Sequence, residues 1–163
     1  MTRTVVRGFL AAIALAALPL TAFAQTSVVT AIGPRVGFSI DPDQFVVGGH
    51  LAVGPIAPSL MFVPSLDLGF GDNRTVVAGN FDLQYHFRTD SRWHPYLGAG
   101  MGISNETVER RSGNDVTASE VGGNVVFGAM APTRSNTQFF SELKLGLGDI
   151  PSMKLIAGWN FGI

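Results

Sequence analysis

Acidic and basic side chains occupy some of the few polar positions in this 163-residue chain. They are its most informative group of side chains. The set contains four acids and four bases: Arg35, Asp67, Asp82, Arg88, Glu120, Glu142, Lys144 and Lys154. An isolated charge is costly to bury, whereas opposite charges that hydrogen-bond to each other tolerate burial. The balance therefore predicts a paired polar network. A gated pathway for small solutes is the alternative.

A glycine triplet, Gly98-x-Gly100-x-Gly102, is the only feature that invites comparison with a phosphate-binding loop. A dinucleotide fingerprint requires a strand, a glycine turn and then a helix. Here the three glycines share one face of a single predicted strand, and another strand follows. Room for opposing side chains explains them better, and the sequence predicts no cofactor.

The three histidines, His50, His86 and His94, all fall on polar positions. A metal site needs several such ligands close together, usually with a carboxylate. His86 and His94 flank one predicted turn, but Arg88 and Arg92 lie beside them, and positive neighbours oppose cation binding. We therefore predict no metal site and assign these imidazoles to hydrogen bonding.

The segments that carry these residues alternate with a period of two. From Val77 to Arg88, one face is apolar and the other carries small or polar side chains. A helix would mix the two sets, whereas a strand separates them. The same alternation marks Phe139–Gly148 and the last segment, so the chain is predicted to be all-β.

Turn signals divide the chain into eight such runs. The predicted strands are 31–40, 44–54, 59–70, 74–88, 93–104, 119–131, 137–148 and 152–162. The link 105–118 is the only long one, and it is polar. Short links after strands six and seven place Glu120 opposite Gly146, with Lys154 on the strand beyond.

The composition decides which face meets solvent. Hydrophobic residues make up 46% of the chain and charged residues 14%, with 20 glycines and no cysteine. A water-facing surface this rich in glycine and poor in charge is unusual, whereas the narrow interior of an eight-stranded barrel suits it. The large aliphatic set fits a lipid-facing band. Strands in a bilayer must close to pair every backbone group, so we predict an eight-stranded antiparallel up-and-down transmembrane β-barrel.

The first 24 residues are predicted to be a secretory signal peptide. Arg3 and Arg7 precede an apolar stretch, and Ala22-Phe23-Ala24 provides the small-x-small cleavage signal. Cleavage leaves residues 25–163 as the barrel domain. The net charge of −1 argues against nucleic acid as a partner.

Two segments carry a resemblance to a known family. The stretch 93–102 reads Trp-His-Pro-Tyr-Leu-Gly-Ala-Gly-Met-Gly, and the last strand carries Trp159, Phe161 and Ile163 on alternate positions. The chain resembles the small eight-stranded outer-membrane β-barrels of Gram-negative bacteria, the group of the OmpA transmembrane domain, OmpX and the opacity proteins. That resemblance implies an outer-membrane location, a porin-like fold and a terminal strand that acts as the assembly signal. Family members usually end in Phe or Trp, and this chain ends in Ile163.

The function predicted from these observations is a non-enzymatic outer-membrane barrel with a plugged polar lumen and a structural, adhesive or stress-related role. Its predicted network comprises Arg35, Asp67, Asp82, Glu120, Glu142, Lys144 and Lys154. Its partners are outer-membrane lipids, the barrel-assembly machinery and periplasmic chaperones, with an extracellular ligand at the Asn105–Ala118 loop, and the barrel is expected to be a monomer.

The alternatives are a small-solute channel, a soluble periplasmic ligand-binding barrel and a lipid-modifying enzyme. Lipid A deacylases share the fold and use a His-x-Ser pair. The residues two positions after the three histidines are Ala52, Arg88 and Tyr96, so that pair is missing. We predict no catalytic residue.

Overall fold

The computed structural model describes residues 28–40, 43–71, 74–108, 116–134 and 136–163. The predicted signal peptide lies outside the described residues. Eight strands run through the rest: β1 Val29–Ile40, β2 Gln44–Ala57, β3 Leu60–Gly71, β4 Arg74–His86, β5 His94–Val108, β6 Val116–Arg134, β7 Thr137–Gly148 and β8 Met153–Gly162. No helix among the described residues is long and apolar enough to cross a membrane.

The strands form one closed barrel in chain order, and each is antiparallel to its neighbours. Pairing of β1 with β8 closes it, with Ile32 opposite Phe161 and Phe38 opposite Leu155. Closure leaves no free sheet edge. The predicted fold class is confirmed.

The two ends of the barrel differ. The terminal end carries the start of β1, the end of β8 and the links after β2, β4 and β6, and the loop end carries the other four links. Seven positions, 109–115, separate β5 from β6 at the loop end. The predicted link 105–118 was too long, because β5 and β6 continue to pair from Asn105↔Ser119 out to Val108↔Val116.

Alternate residues face the lumen and the outside of the barrel, as β4 shows. Ala78, Asn80 and Asp82 are buried in the lumen, whereas Phe81 and Leu83 are 41% and 46% exposed on the outside. The predicted assignment of the two faces in β4 is confirmed. The barrel is thus polar inside and apolar outside.

Lumen glycines provide the space that larger neighbours occupy. A Cβ on Gly100 would lie 2.5 Å from the carbonyl oxygen of Phe81 and 2.9 Å from the Cα of Asp82. On the outer face of the barrel, a Cβ on Gly79 would meet no atom within 4 Å. The glycines therefore have different roles on the two faces.

We expect Gly100→Ala to destabilise the barrel by about 1–3 kcal/mol, the usual cost of overpacking, because fixed backbone atoms block the new methyl group. Gly79→Ala is the matched control and should leave stability unchanged or slightly higher. Urea unfolding of both variants in the same detergent measures the difference. Equal unfolding midpoints for the two variants would show that the lumen is not tightly packed at β5.

Candidate functional site

The centre of the lumen holds an ion pair between β1 and β3. The Arg35 guanidinium donates two hydrogen bonds to Asp67, from Nε to Oδ1 at 2.7 Å and from Nη2 to Oδ2 at 2.6 Å. This bidentate geometry matches the planar fork of arginine to a carboxylate. Its third nitrogen, Nη1, lies 3.6 Å from Oε1 of Glu142 on β7. Arg35 thus links opposite walls of the barrel.

A second ion pair joins β7 to β4 across the lumen. Nζ of Lys144 on β7 donates a hydrogen bond to Oδ2 of Asp82 on β4. Lys144 Nζ also lies 4.0 Å from Oε1 of Glu142. Lys154 on β8 extends the set, with its Nζ 3.8 Å from Oδ2 of Asp67. Three cations and three carboxylates therefore form one continuous ionic cluster.

Two neutral side chains add hydrogen bonds to this ionic cluster. Tyr96 donates its hydroxyl to Oε2 of Glu142 at 3.0 Å, and Asn80 donates its amide to Oδ2 of Asp67 at 3.1 Å. Hydrogen bonds of this kind offset part of the desolvation of a buried charge. Because its formal charges balance, the cluster places no net charge in the lumen.

Burial of the cluster is nearly complete. Its members are between 0% and 8% exposed: Arg35, Asp67, Asp82, Glu142, Lys144 and Lys154. Charge–charge interactions between side chains buried to this degree are stronger than at a surface. This arrangement can hold the opposite walls together and fill the bore.

The structure brings together six of the seven residues predicted for the network. Glu120 lies apart: it is half-buried opposite Ser104 on β5 and makes no ion pair with the described residues. Arg88 lies exposed in the link between β4 and β5.

The predicted register of β6 against β7 was wrong by four residues, since Asn124, and not Glu120, lies opposite Gly146. The reason is a tight turn. β6 continues to Arg134, which pairs with Thr137, and Asn136 turns the chain with φ 59°. A five-residue link had been expected there. The tight turn carries Glu120 towards the loop end, away from Lys154.

The link between β7 and β8 folds into the lumen at the loop end, which sequence reasoning missed. Pro151 is buried and Ile150 half-buried. Cβ atoms on Gly122 and Gly146 would lie 2.9 Å and 3.1 Å from Cγ1 of Ile150. The available sequence signal for this inward fold was an apolar pair, Ile150-Pro151, in a link whose neighbouring strands carry glycines on their lumen face. The link acts as a cap above the ionic cluster.

Two of the three histidines contact neutral or aromatic side chains outside the ionic cluster. His50 Nε2 lies 2.5 Å from Oδ1 of Asn160, and the His50 ring meets Phe140 edge-on at 5.0 Å. His86 stacks on Tyr96 with ring centroids 5.1 Å apart. The described residues contain no group of three or more side chains suited to a metal ion.

We expect Lys144→Met to cost about 3–5 kcal/mol of stability, because it leaves Asp82 buried without its cation. Adding Asp82→Asn should recover part of that loss, so the double-mutant cycle should give a clear coupling energy. The pair Arg74–Glu106, at 3.0 Å, is more exposed than the cluster, with side chains 40% and 18% exposed; it is the control and should couple by about 1 kcal/mol or less. Equal coupling in the two cycles would contradict a desolvated ionic cluster.

Known structures share this architecture. The N-terminal β-barrel domain of Pseudomonas aeruginosa OprF matches with a TM-score of 0.67 at 16% identity, over 85% of this chain and 100% of that one. Neisserial surface protein A matches with a TM-score of 0.65 at 14% identity, over 85% and 100%. The Yersinia pestis outer membrane protein Ail matches with a TM-score of 0.51 at 9% identity, over 82% and 99%.

No family model and no curated protein matches the chain. At these identities the similarity concerns the fold alone. The expectation from the sequence is confirmed at that level: this chain has the fold of the small eight-stranded outer-membrane β-barrels.

Proposed function

We propose that this chain is a non-enzymatic integral protein of the Gram-negative outer membrane, with a plugged lumen and a structural, adhesive or stress-related role. The observation that carries the proposal is the apolar outer surface of the closed barrel. Phe38, Leu66, Met101, Val121 and Leu155 are each more than half exposed there. A soluble monomer rarely exposes an apolar surface of this extent.

Aromatic residues flank this apolar band at both ends. Towards the terminal end, the Phe139 ring lies 5.5 Å from Trp159 and 6.4 Å from Trp93. Towards the loop end, Phe38 and Phe45 meet edge-on at 5.4 Å. Transmembrane barrels carry such girdles at both membrane interfaces. This pattern favours insertion over the alternative of a soluble periplasmic barrel.

The contents of the lumen favour a plug over the alternative of a small-solute channel. The ionic cluster spans the bore, and Ile150 and Pro151 cover its loop end. The bore of an eight-stranded barrel is narrow enough for side chains to close it at the level of the cluster. The proposal assigns no catalysis, because the His-x-Ser pair of the lipid A deacylases is missing from the sequence.

The proposal includes the partners that an outer-membrane barrel requires: membrane lipids, periplasmic chaperones and the barrel-assembly machinery. Trp159 and Phe161 lie on the outer face of β8, the strand that closes the barrel against β1, and are 43% and 47% exposed. Together with Ile163 they are the proposed assembly signal. An extracellular ligand at 105–118 belongs to the same proposal, and positions 109–115 of that loop lie outside the described residues.

Expression in a Gram-negative host tests the location. We expect the protein in the outer-membrane fraction after carbonate washing, and we expect the unheated protein to migrate differently from the heated one on a gel, as a closed barrel does. Release of folded protein by carbonate would refute the membrane proposal and leave the soluble barrel.

A charge scan along β4 tests the depth of the barrel in the membrane. Leu83→Arg places a charge in the apolar band and should cost about 2–4 kcal/mol in a bilayer. Thr75→Arg, on the same face near the loop end, is the matched control and should cost about 0–1 kcal/mol. Reversible unfolding in lipid vesicles measures both variants. A larger cost for Thr75→Arg would overturn the proposed position of the band.

A further inference from the structure

A cavity of about 520 Å³ occupies the terminal end of the lumen, below the ionic cluster. Its floor contains Arg35 and Glu142, and its mouth lies beside Asn136 and Gly162. The ionic cluster lies next to this floor. The volume of the cavity lies within the range of about 300–1,000 Å³ that small-molecule sites occupy.

Apolar atoms make up most of the exposed wall surface of the cavity, and polar side chains such as Gln84, Gln138 and Asn160 also line it. Met61, Val63, Met130 and Phe140 line it, and the flexible thioethers of the two methionines can adapt to a ligand. Alanines create part of the space, since Ala31 lies opposite Ala52 on the neighbouring strand. A lumen that served only as a plug would carry larger side chains at such positions. A hydrocarbon chain fits these walls.

The rim beside the cavity supplies positive charge. His86 lines the cavity and begins the link to β5, in which Arg88 and Arg92 are exposed and Asp90 is the only acid. An anionic group at this rim would be attracted to the two guanidinium groups, whereas a cation would be repelled.

We propose that the cavity is a binding site for a single-chain amphiphile with an anionic head group, such as a fatty acid carboxylate. Its hydrocarbon chain lies between β1, β3, β6 and β7, and its head group lies at the link after β4. The site goes beyond the proposed plug, which needs only the ionic cluster and the cap. Binding would give this barrel a ligand at the end that carries its termini.

The methionines allow a direct test, because two line the cavity and two lie on the outer face of the barrel. With ¹³C-methyl methionine in lipid nanodiscs, titration with sodium decanoate should shift the Met61 and Met130 signals to saturation. Met101 and Met153 report partition of decanoate into the bilayer. Decyltrimethylammonium, with the same chain length and opposite charge, should leave the cavity signals in place.

Paired variants separate the chain site from the head-group site. Ala52→Phe fills the cavity and should abolish the saturable shift, whereas Ala99→Phe on the outer face should retain it. Replacing both arginines, Arg88→Gln with Arg92→Gln, should raise the Kd for decanoate about fivefold. Arg74→Gln, at the loop end, should leave the Kd unchanged.

Changes in the NMR signals of Met101 and Met153 alone would overturn the proposed binding site. Binding of decyltrimethylammonium as tight as that of decanoate would overturn the placement of an anionic head group at the arginines. Heat-dependent gel mobility verifies that each variant is a closed barrel. The titration needs only the folded barrel, so its failure leaves the outer-membrane proposal intact, and release by carbonate leaves the cavity proposal intact.

Discussion

The narrow bore of an eight-stranded barrel is the constraint on which the rest of this structure depends. Six buried charged side chains form the ionic cluster in that bore, and each needs an opposite charge because a buried charge without a partner is costly. Arg35 donates two hydrogen bonds to Asp67 on β3, and its Nη1 lies 3.6 Å from Glu142 on β7, on the opposite wall. Lys144 and Lys154 complete the balance from β7 and β8. The strands are held in register by charges as well as by their backbone ladders.

Space for this ionic cluster comes from neighbouring glycines. Gly48 lies beside Asp67 and Gly100 beside Asp82, and a Cβ at either position would collide with the carboxylate. The high glycine content of the chain thus has a steric cause in the lumen. The same logic explains the cap, since Ile150 rests on the glycine surfaces of β6 and β7.

The fold could be predicted from the sequence because alternation is a local signal that repeats in every strand. The face assignment in β4 followed directly, since Asp82 and Leu83 are neighbours with opposite environments. The register of β6 against β7 was harder, because it depends on the tight turn at Asn136, and one misplaced turn moves every contact along the hairpin. Glu120 therefore lies away from Lys154, whereas Lys144 lies 4.0 Å from Glu142 and donates to Asp82.

The cap and the cavity were missed because both depend on distances across the barrel, which no local pattern reports. In the sequence Pro151 resembles an ordinary turn residue, and only the fold shows that its link turns into the lumen. Ala31 and Ala52 are unremarkable alone and create space only where they face each other. Together these features place side chains from the β7–β8 link in the lumen near the loop end and a cavity near the terminal end.

Ion conductance across a planar lipid bilayer tests the central claim that the charged cluster and the cap close the lumen. We expect no stable conductance steps from the inserted wild-type barrel at either sign of the applied voltage. Steady conductance that scales with salt concentration would show instead that the six charges line a water-filled path.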